Sequence, residues 1–248
     1  MDHTVSVTPV KRERNFHYYD THPTAEDLMG ESAAQDMLLV ELYGVLRWLL
    51  RDRPCYLARN LNIYTARKRM QYPLAPDMAL YDVALETAAL RRLRSWRLYE
   101  ENRPPPVVAI EIASDKTWRT DLLQKPEQYA AMGVHEYIVY DPNEPQVVRG
   151  SRLQVWQRAG DGLIPATPDV LGRVWSPTFE SWLEDDDGAL RLLTAAGERR
   201  LSEAEGERAA RQQAAAAAAR ERAEKDRERA EKEAAWAKLR ALGIDPEA

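Results

Sequence analysis

The chain has one cysteine, Cys55. That excludes an intrachain disulfide and any Cys-rich zinc site, and it fits a reducing, cytoplasmic setting. No run approaches the roughly 20 uninterrupted apolar residues that a membrane span needs. The N-terminus, MDHTVSVTPVKRERNFHYYD, lacks the apolar core of a signal peptide, so none is expected. There is no glycine-rich phosphate loop, dinucleotide fingerprint, nucleophile elbow or zinc-type histidine pair. The four histidines are scattered, which argues against a histidine general base. An excess of basic charge is also missing. The net charge is −5, and the tail after Gly197 is balanced with twelve acids and twelve bases, so the excess acid lies in the body. This excludes a protein that coats nucleic acid by charge alone, though not one whose acids hold a metal.

What is present argues for a folded core. Of 248 residues, 44% are hydrophobic and seven are tryptophan, enough for one sizeable domain plus an appendage. Residues 1–29 read as irregular, with a short helix near Pro23–Met29. From Glu31 to Arg51 the chain reads as an amphipathic helix: Leu38, Leu42, Val45, Leu46 and Leu49 share a face, with Gln35, Glu41 and Arg47 mostly off it. Strands are expected over Cys55–Tyr64 and Asp77–Val83, and a helix over 85–99, where Arg91, Arg92, Arg94 and Arg97 would form a solvated face. A strand over Val107–Ala113, a helix from about Arg119 to Met132 stopped by Gly133, and the strand in VHEYIVYD form a strand–helix–strand unit with parallel strands. Asp141, Pro142 and Asn143 close it as turn residues. Short β pieces follow over 151–193. The tail, 198–248, is built of strong helix formers. Ala209, Ala216, Ala223, Ala230 and Ala237 recur every seven residues, which reads either as a coiled-coil seam or as a solvated helix held by pairs four residues apart.

One residue is out of place. Glu111 sits within PPPVVAIEIASDKT, a nearly unbroken apolar run of the kind found in a strand covered on both faces. An unpaired charge there costs several kcal/mol, on the order of the penalty for a buried ion. In a strand, Val107, Ala109, Glu111 and Ala113 share one face, and Val108, Ile110 and Ile112 the other. The alanines leave room beside the carboxylate for a hydrated ion. Asp77, in YPLAPDMALYDV, and Lys125, on the following helix, are the partners within reach. Two carboxylates and the Ile112 backbone carbonyl would suit Mg²⁺ or Mn²⁺. Such an ion activates water toward a phosphodiester, and Lys125 could orient that water or stabilise developing charge. The same residues also read as a structural ion pair, Glu111 with Lys125 or Lys116, with Asp77 a turn or edge acid after Pro76. Thr117 reads as a helix N-cap and Asp121 as an acid favouring the positive helix end; four residues from Lys125, Asp121 could also orient it. Arg67, Lys68, Arg69 and Arg119 could meet phosphates, as could the helix N-terminus near Thr117; they read equally as solvated surface.

At these residues the chain resembles a known group. APDMALYDV and PPPVVAIEIASDKTWRTDLLQKPEQYAAMGVHEYIVYDP, together with GESAAQDMLLVELYGVLRWLLRDRP and RNLNIY, are similar to the Uma family of restriction-endonuclease-fold nucleases, within the PD-(D/E)XK superfamily. The resemblance covers roughly residues 17–195. It implies a mixed α/β fold, a restriction-endonuclease-like core with a central mixed sheet flanked by helices and a long charged, Ala-rich C-terminal helix. The domain boundaries are then 1–29, 30–197 for the nuclease domain, and 198–248. It also implies that Asp77 and Glu111 are the metal-binding acids. A standard motif would put lysine at 113, where this chain has Ala113; in the Uma pattern the lysine has moved to the helix, which matches Lys125. Glu31 matches a helix acid that points at the metal, and reads otherwise as a first-turn acid favouring the helix dipole. Tyr129 matches a helix tyrosine that packs over the site or touches it.

The function expected is a Mg²⁺- or Mn²⁺-dependent endonuclease acting on DNA. The alternative is a catalytically silent DNA-binding or protein-interaction module with an oligomerising tail. A glycosidase is disfavoured, since its paired acids would want an aromatic-lined cleft. Many such nucleases pair as dimers, here through the core or the tail, and the sequence leaves the oligomeric state open.

Overall fold

The computed structural model describes residues 17–24 and 32–241. Glu31 and most of the helix expected near Pro23–Met29 lie outside the described residues. Helix α1 spans Ala33–Leu49, followed by strands β1 (Tyr56–Arg59), β2 (Ile63–Tyr64) and β3 (Met78–Tyr81). Next come α2 (Thr87–Leu90), β4 (Trp96–Arg97), β5 (Val108–Ile112), α3 (Trp118–Leu123), α4 (Lys125–Met132) and β6 (Glu136–Tyr140). Then follow β7 (Leu153–Ala159), β8 (Gly162–Pro165), β9 (Val174–Ser176), β10 (Ser181–Asp186), β11 (Ala189–Leu193) and α5 (Glu203–Ala241). The described residues divide into two compact units after Arg200.

The first unit is built on a mixed six-stranded sheet in the order β1-β3-β5-β6-β7-β8. As expected, β5 and β6 are parallel; the other pairings in this sheet are antiparallel. Every residue of β5 and β6 is buried, because both faces of the sheet are covered. On one face Val108, Ile110, Ile112 and Ile138 pack against Leu38, Leu39, Leu42 and Leu46 of α1 and against Val174, Leu183 and Leu192 of the β9–β11 sheet. On the other, Ala109, Ala113, Tyr137 and Val139 meet Tyr129 of α4, with Trp118 and Leu122 of α3 alongside. A buried Leu contributes about 2 kcal/mol relative to exposure, so these two layers fix β5 at the centre of the molecule.

Local departures from expectation have identifiable causes. The strand expected over 55–64 is broken at Asn60, whose φ of +45° turns the chain between β1 and β2. The helix expected over 85–99 shrinks to α2. Trp96 is instead drawn into the core, its ring tilted against that of Tyr81 with centroids 4.0 Å apart, its Nε1 donating to the Pro104 carbonyl at 2.8 Å. Strand β4 then pairs with β2. Arg97 therefore does not join a solvated helical face but pairs with Asp20 at 2.9 Å. The helix expected over 119–132 is two helices, since Pro126 at the start of α4 has no N–H to continue the ladder. Gly133 ends α4 at φ +99° as expected, a conformation that strains any side chain, and a Cβ there would sit a tight 3.3 Å from the Pro105 ring.

The second unit is α5, 39 residues and about 58 Å long at the helical rise. Ion pairs four residues apart line it, Arg211–Glu207, Lys225–Glu221 and Arg229–Glu233 among them, and Ala216, Ala223, Ala230 and Ala237 are exposed.

The turn after β6 does more than close a strand. Asp141 is fully buried, and its Oδ2 accepts from the backbone N–H groups of Val147 and Val148, each at 2.7 Å. Oδ1 accepts from the N–H and side-chain amide of Asn143 at 2.9 and 2.8 Å. Asp141→Ala orphans these donors and is expected to lower the unfolding free energy by about 2–4 kcal/mol. Urea denaturation checks this; a loss under about 0.5 kcal/mol, the scale of an ordinary surface change, would refute it.

Candidate functional site

Strand pairing brings the two acids together. In the antiparallel register Met78 lies opposite Ile110, so one step outward Asp77 stands beside Glu111 on the same face. Asp77, half-buried, anchors this edge: its Oδ2 accepts from the Ile112 N–H at 2.6 Å. Glu111 is only 4% exposed.

The α3–α4 pair supplies the counter-charge. Lys125, the first residue of α4, places Nζ 2.9 Å from Glu111 Oε1 and 2.8 Å from Asp121 Oδ1. Asp121 is on α3, so its four-residue pairing with Lys125 spans the break that Pro126 imposes. Its Oδ1 lies at ion-pair distance without hydrogen-bond geometry. One turn beyond Lys125, Tyr129 donates its hydroxyl to the same Glu111 Oε1 at 2.8 Å. Tyr137 of β6 packs its ring 4.8 Å from Tyr129 and donates to the Asp121 carbonyl. The room expected beside Ala109 and Ala113 is therefore filled by tyrosine rings. The alanines are small where Tyr129 and Tyr137 pack beside them, so an ion at these acids would have to lie toward the half-buried Asp77 rather than beside the alanines.

Charge and burial compete at this cluster. The Glu111 carboxyl is pushed up to about 8 on balance: burial raises it most, the Lys125 charge pulls it down, and the carboxylates of Asp121 and Asp77 raise it. Burial alone would lower Lys125, but Glu111 and Asp121 outweigh it and hold the ammonium above its ordinary value. Lys125 is thus a permanent cation rather than a proton acceptor. Burial, and then the Glu111 charge, keep the Tyr129 phenol neutral.

A second buried acid in the same sheet makes a useful contrast. Glu136 of β6 is 2% exposed and accepts from the Ser176 hydroxyl, the Thr178 N–H and the Gln157 amide. Neutral donors from β7, β9 and the turn after β9 satisfy it, as a structural acid requires. Glu111 has a lysine, a phenol and two further acids around it instead. Clustered acids with a cation are the arrangement that functional sites use.

Arg67, Lys68 and Arg69 are exposed on the loop between β2 and β3, and Arg119 is exposed over the Trp118 ring at 4.6 Å. Lys116 is exposed in the loop after β5. Thr117 is not an N-cap acceptor: its N–H and hydroxyl bond the Ser114 hydroxyl at 3.2 and 2.9 Å, closing a local turn. Sequence reasoning missed Gln35. It is buried, and its amide donates to the Ala113 carbonyl at 3.1 Å while its oxygen takes the Ser32 N–H in a capping box. The Ser-x-x-Gln spacing signals that box, and Gln35 lies three residues before Leu38 on the buried face. Asn143 donates to the same Ala113 carbonyl. The end of β5 is thereby held from α1 and from the turn after β6. Lys125 also lines a groove of about 590 Å³ between the 63–75 segment and α3–α4.

The Glu111 shift has a stability consequence. A carboxyl whose folded pKa exceeds its unfolded value contributes stability that is full below the unfolded value and is lost as pH rises through the folded one. With divalent ions chelated, the stability of the protein is expected to fall as pH rises from about 4.5 to about 8, and this slope should disappear in Glu111→Gln. Melting temperature against pH for both proteins measures it; parallel profiles would contradict the assignment.

The family model Uma2, described as "Putative restriction endonuclease", matches residues 9–189. A solved structure described as "a putative nuclease belonging to DUF820 from Anabaena variabilis ATCC 29413" is similar at 17% identity and a TM-score of 0.40, over 61% of this chain and 76% of that one. No curated protein matches the chain. The family match takes in Asp77 just before β3, Glu111 in β5, helices α3 and α4 and the strand that follows, and the chain belongs to the Uma2 restriction-endonuclease-like family.

Proposed function

We propose that the protein is a metal-dependent endonuclease that hydrolyses DNA phosphodiester bonds in the cytoplasm, with Asp77, Glu111 and Lys125 as its catalytic residues. The distance that supports this most is the 2.9 Å between Lys125 Nζ and Glu111 Oε1. A lysine reaching back from a helix takes the place of the one absent at Ala113, so an acid–acid–lysine set is present although the linear motif is incomplete.

The donor chemistry fits a hard cation. Asp77, Glu111 and the Ile112 carbonyl offer oxygens of the kind that Mg²⁺ or Mn²⁺ takes, and the two bonds to Glu111 both fall on Oε1, so Oε2 carries neither of them. Among the described residues no group of three acid, histidine or cysteine side chains gathers to hold a metal, so an ion here would rest on the two carboxylates, the Ile112 carbonyl and waters. When bound, such an ion lowers the pKa of a water and offsets phosphate charge.

The chain's own residues supply the rest. Lys125, held protonated, orients the attacking water or offsets charge that develops on the scissile phosphate. Asp121 fixes the ammonium, and Tyr129 fixes the Glu111 carboxylate, so neither group must reorganise during the reaction. Arg67, Lys68, Arg69 and Arg119 meet flanking phosphates as exposed cations.

The decisive experiment is cleavage of DNA with Mg²⁺ or Mn²⁺ against a chelated control. Wild type is expected to cut only with the ion. Glu111→Ala should abolish cutting, and Lys125→Ala should slow it about 10²–10³-fold, the loss seen when one transition-state donor is removed. Circular dichroism confirms that each variant is folded. An inert wild type, or full cleavage by Glu111→Ala, would sink the enzyme and leave a DNA-binding or protein-interaction module of the same fold.

A further inference from the structure

The groove beside Lys125 is not used by the chemistry described so far. Its apolar walls come from Ile63 and Leu74 on one side and Met132 on the other. Between them stand the carboxamides of Gln124 and Gln128, exposed on α3–α4, which make no hydrogen bond to a described residue. Among the described residues no aspartate or glutamate lines the groove, and Lys125 is the one charged residue that does. Apolar walls with carboxamides between them suit a neutral ring that carries hydrogen-bonding edges. A carboxamide can pair in a bidentate way with a base edge.

The loop at the mouth adds charge to this chemistry. Gln71 donates to the Thr65 hydroxyl at 2.7 Å and accepts from the Ala66 N–H at 3.0 Å. Both Thr65 and Gln71 line the groove, so this clamp ties the two ends of the loop at the rim. Between them it holds out Arg67, Lys68 and Arg69, three consecutive exposed cations. A flat polar ring inside and a cationic rim outside match a base attached to a phosphate backbone, rather than a free neutral metabolite.

We infer that this groove takes one unstacked base of the nucleic acid being cut, which makes unpaired or single-stranded DNA the preferred substrate class. The inference rests on the nuclease reading above and specifies its substrate. A base inside a duplex has its pairing edge occupied and its faces stacked, so it cannot present either to Gln124, Gln128 or the apolar walls without being extruded. An unpaired base enters without that cost. Because Lys125 lies both at the groove and on Glu111, the occupied groove would set the adjoining phosphate next to the acids.

The test is fluorescence anisotropy with Ca²⁺ in place of Mg²⁺, comparing a labelled single strand of about 20 nucleotides, longer than one binding site, with the blunt duplex of the same sequence. Wild type is expected to bind the single strand about tenfold more tightly, the scale of one stacked base. Ala131→Trp, which fills the groove, should remove that advantage. Gln128→Ala, a change to the best helix former at an exposed site, should reduce it at least about threefold, as loss of one base-edge hydrogen-bonding partner would. Equal affinity of wild type for both forms, or an advantage retained in both variants, overturns the groove assignment while metal-dependent cleavage, measured separately, keeps the nuclease reading. Absence of binding to either form, together with absence of cleavage, overturns both.

Discussion

The fold turns on one ion pair. Glu111 lies at the centre of a doubly covered sheet, and Lys125 must come to it from α4. An unpaired carboxylate at that depth would cost several kcal/mol, so the packing of α3 and α4 on the sheet is coupled to the neutralisation of one side chain. The break at Pro126 serves the same end: it starts α4 afresh at Lys125, with Asp121 on the preceding turn and Tyr129 on the following one. Ala109 and Ala113 are small where they must be, because Tyr129 and Tyr137 occupy the layer between strand and helix.

The pair also explains how an incomplete motif can be consistent with function. In a linear acid-x-lysine motif the strand itself carries the lysine. Here the strand has Ala113, and the ammonium arrives from the helix at 2.9 Å. A lysine on a helix has a longer route to the acid, and the second acid, Asp121, steadies it. Holding a lysine between two acids also keeps it charged, which confines it to electrostatic roles. The contrast with Glu136, satisfied by a hydroxyl, an N–H and an amide, shows that this sheet can bury an acid without any cation.

Much of this was legible in the sequence because it follows two short periods. The two-residue alternation of a strand separated Glu111 from Val108, Ile110 and Ile112, and the helical repeat put Asp121, Lys125 and Tyr129 on one stripe. The family resemblance matched the pattern, and the family assignment agrees. What was not legible depends on tertiary contact. Trp96 overrides the helix-forming composition of 85–99 by packing against Tyr81 in the core. Gln35 looks polar and solvated until the α1–β5 contact buries it. The alanines beside Glu111 suggested room for an ion, because the sequence does not say which side chain will fill the gap. Glu136 drew no notice, since its partners lie some 20 to 40 residues away in sequence.

The measurement that bears most directly on the account is anomalous diffraction from crystals soaked in Mn²⁺. The account predicts an anomalous peak bonded to Asp77 and Glu111, with Lys125 still at the Glu111 side chain. A structure in which Mn²⁺ is absent from these acids at saturating concentration, and the Glu111–Lys125–Asp121 cluster stands unchanged, would show a structural ion-pair triad and contradict the catalytic assignment.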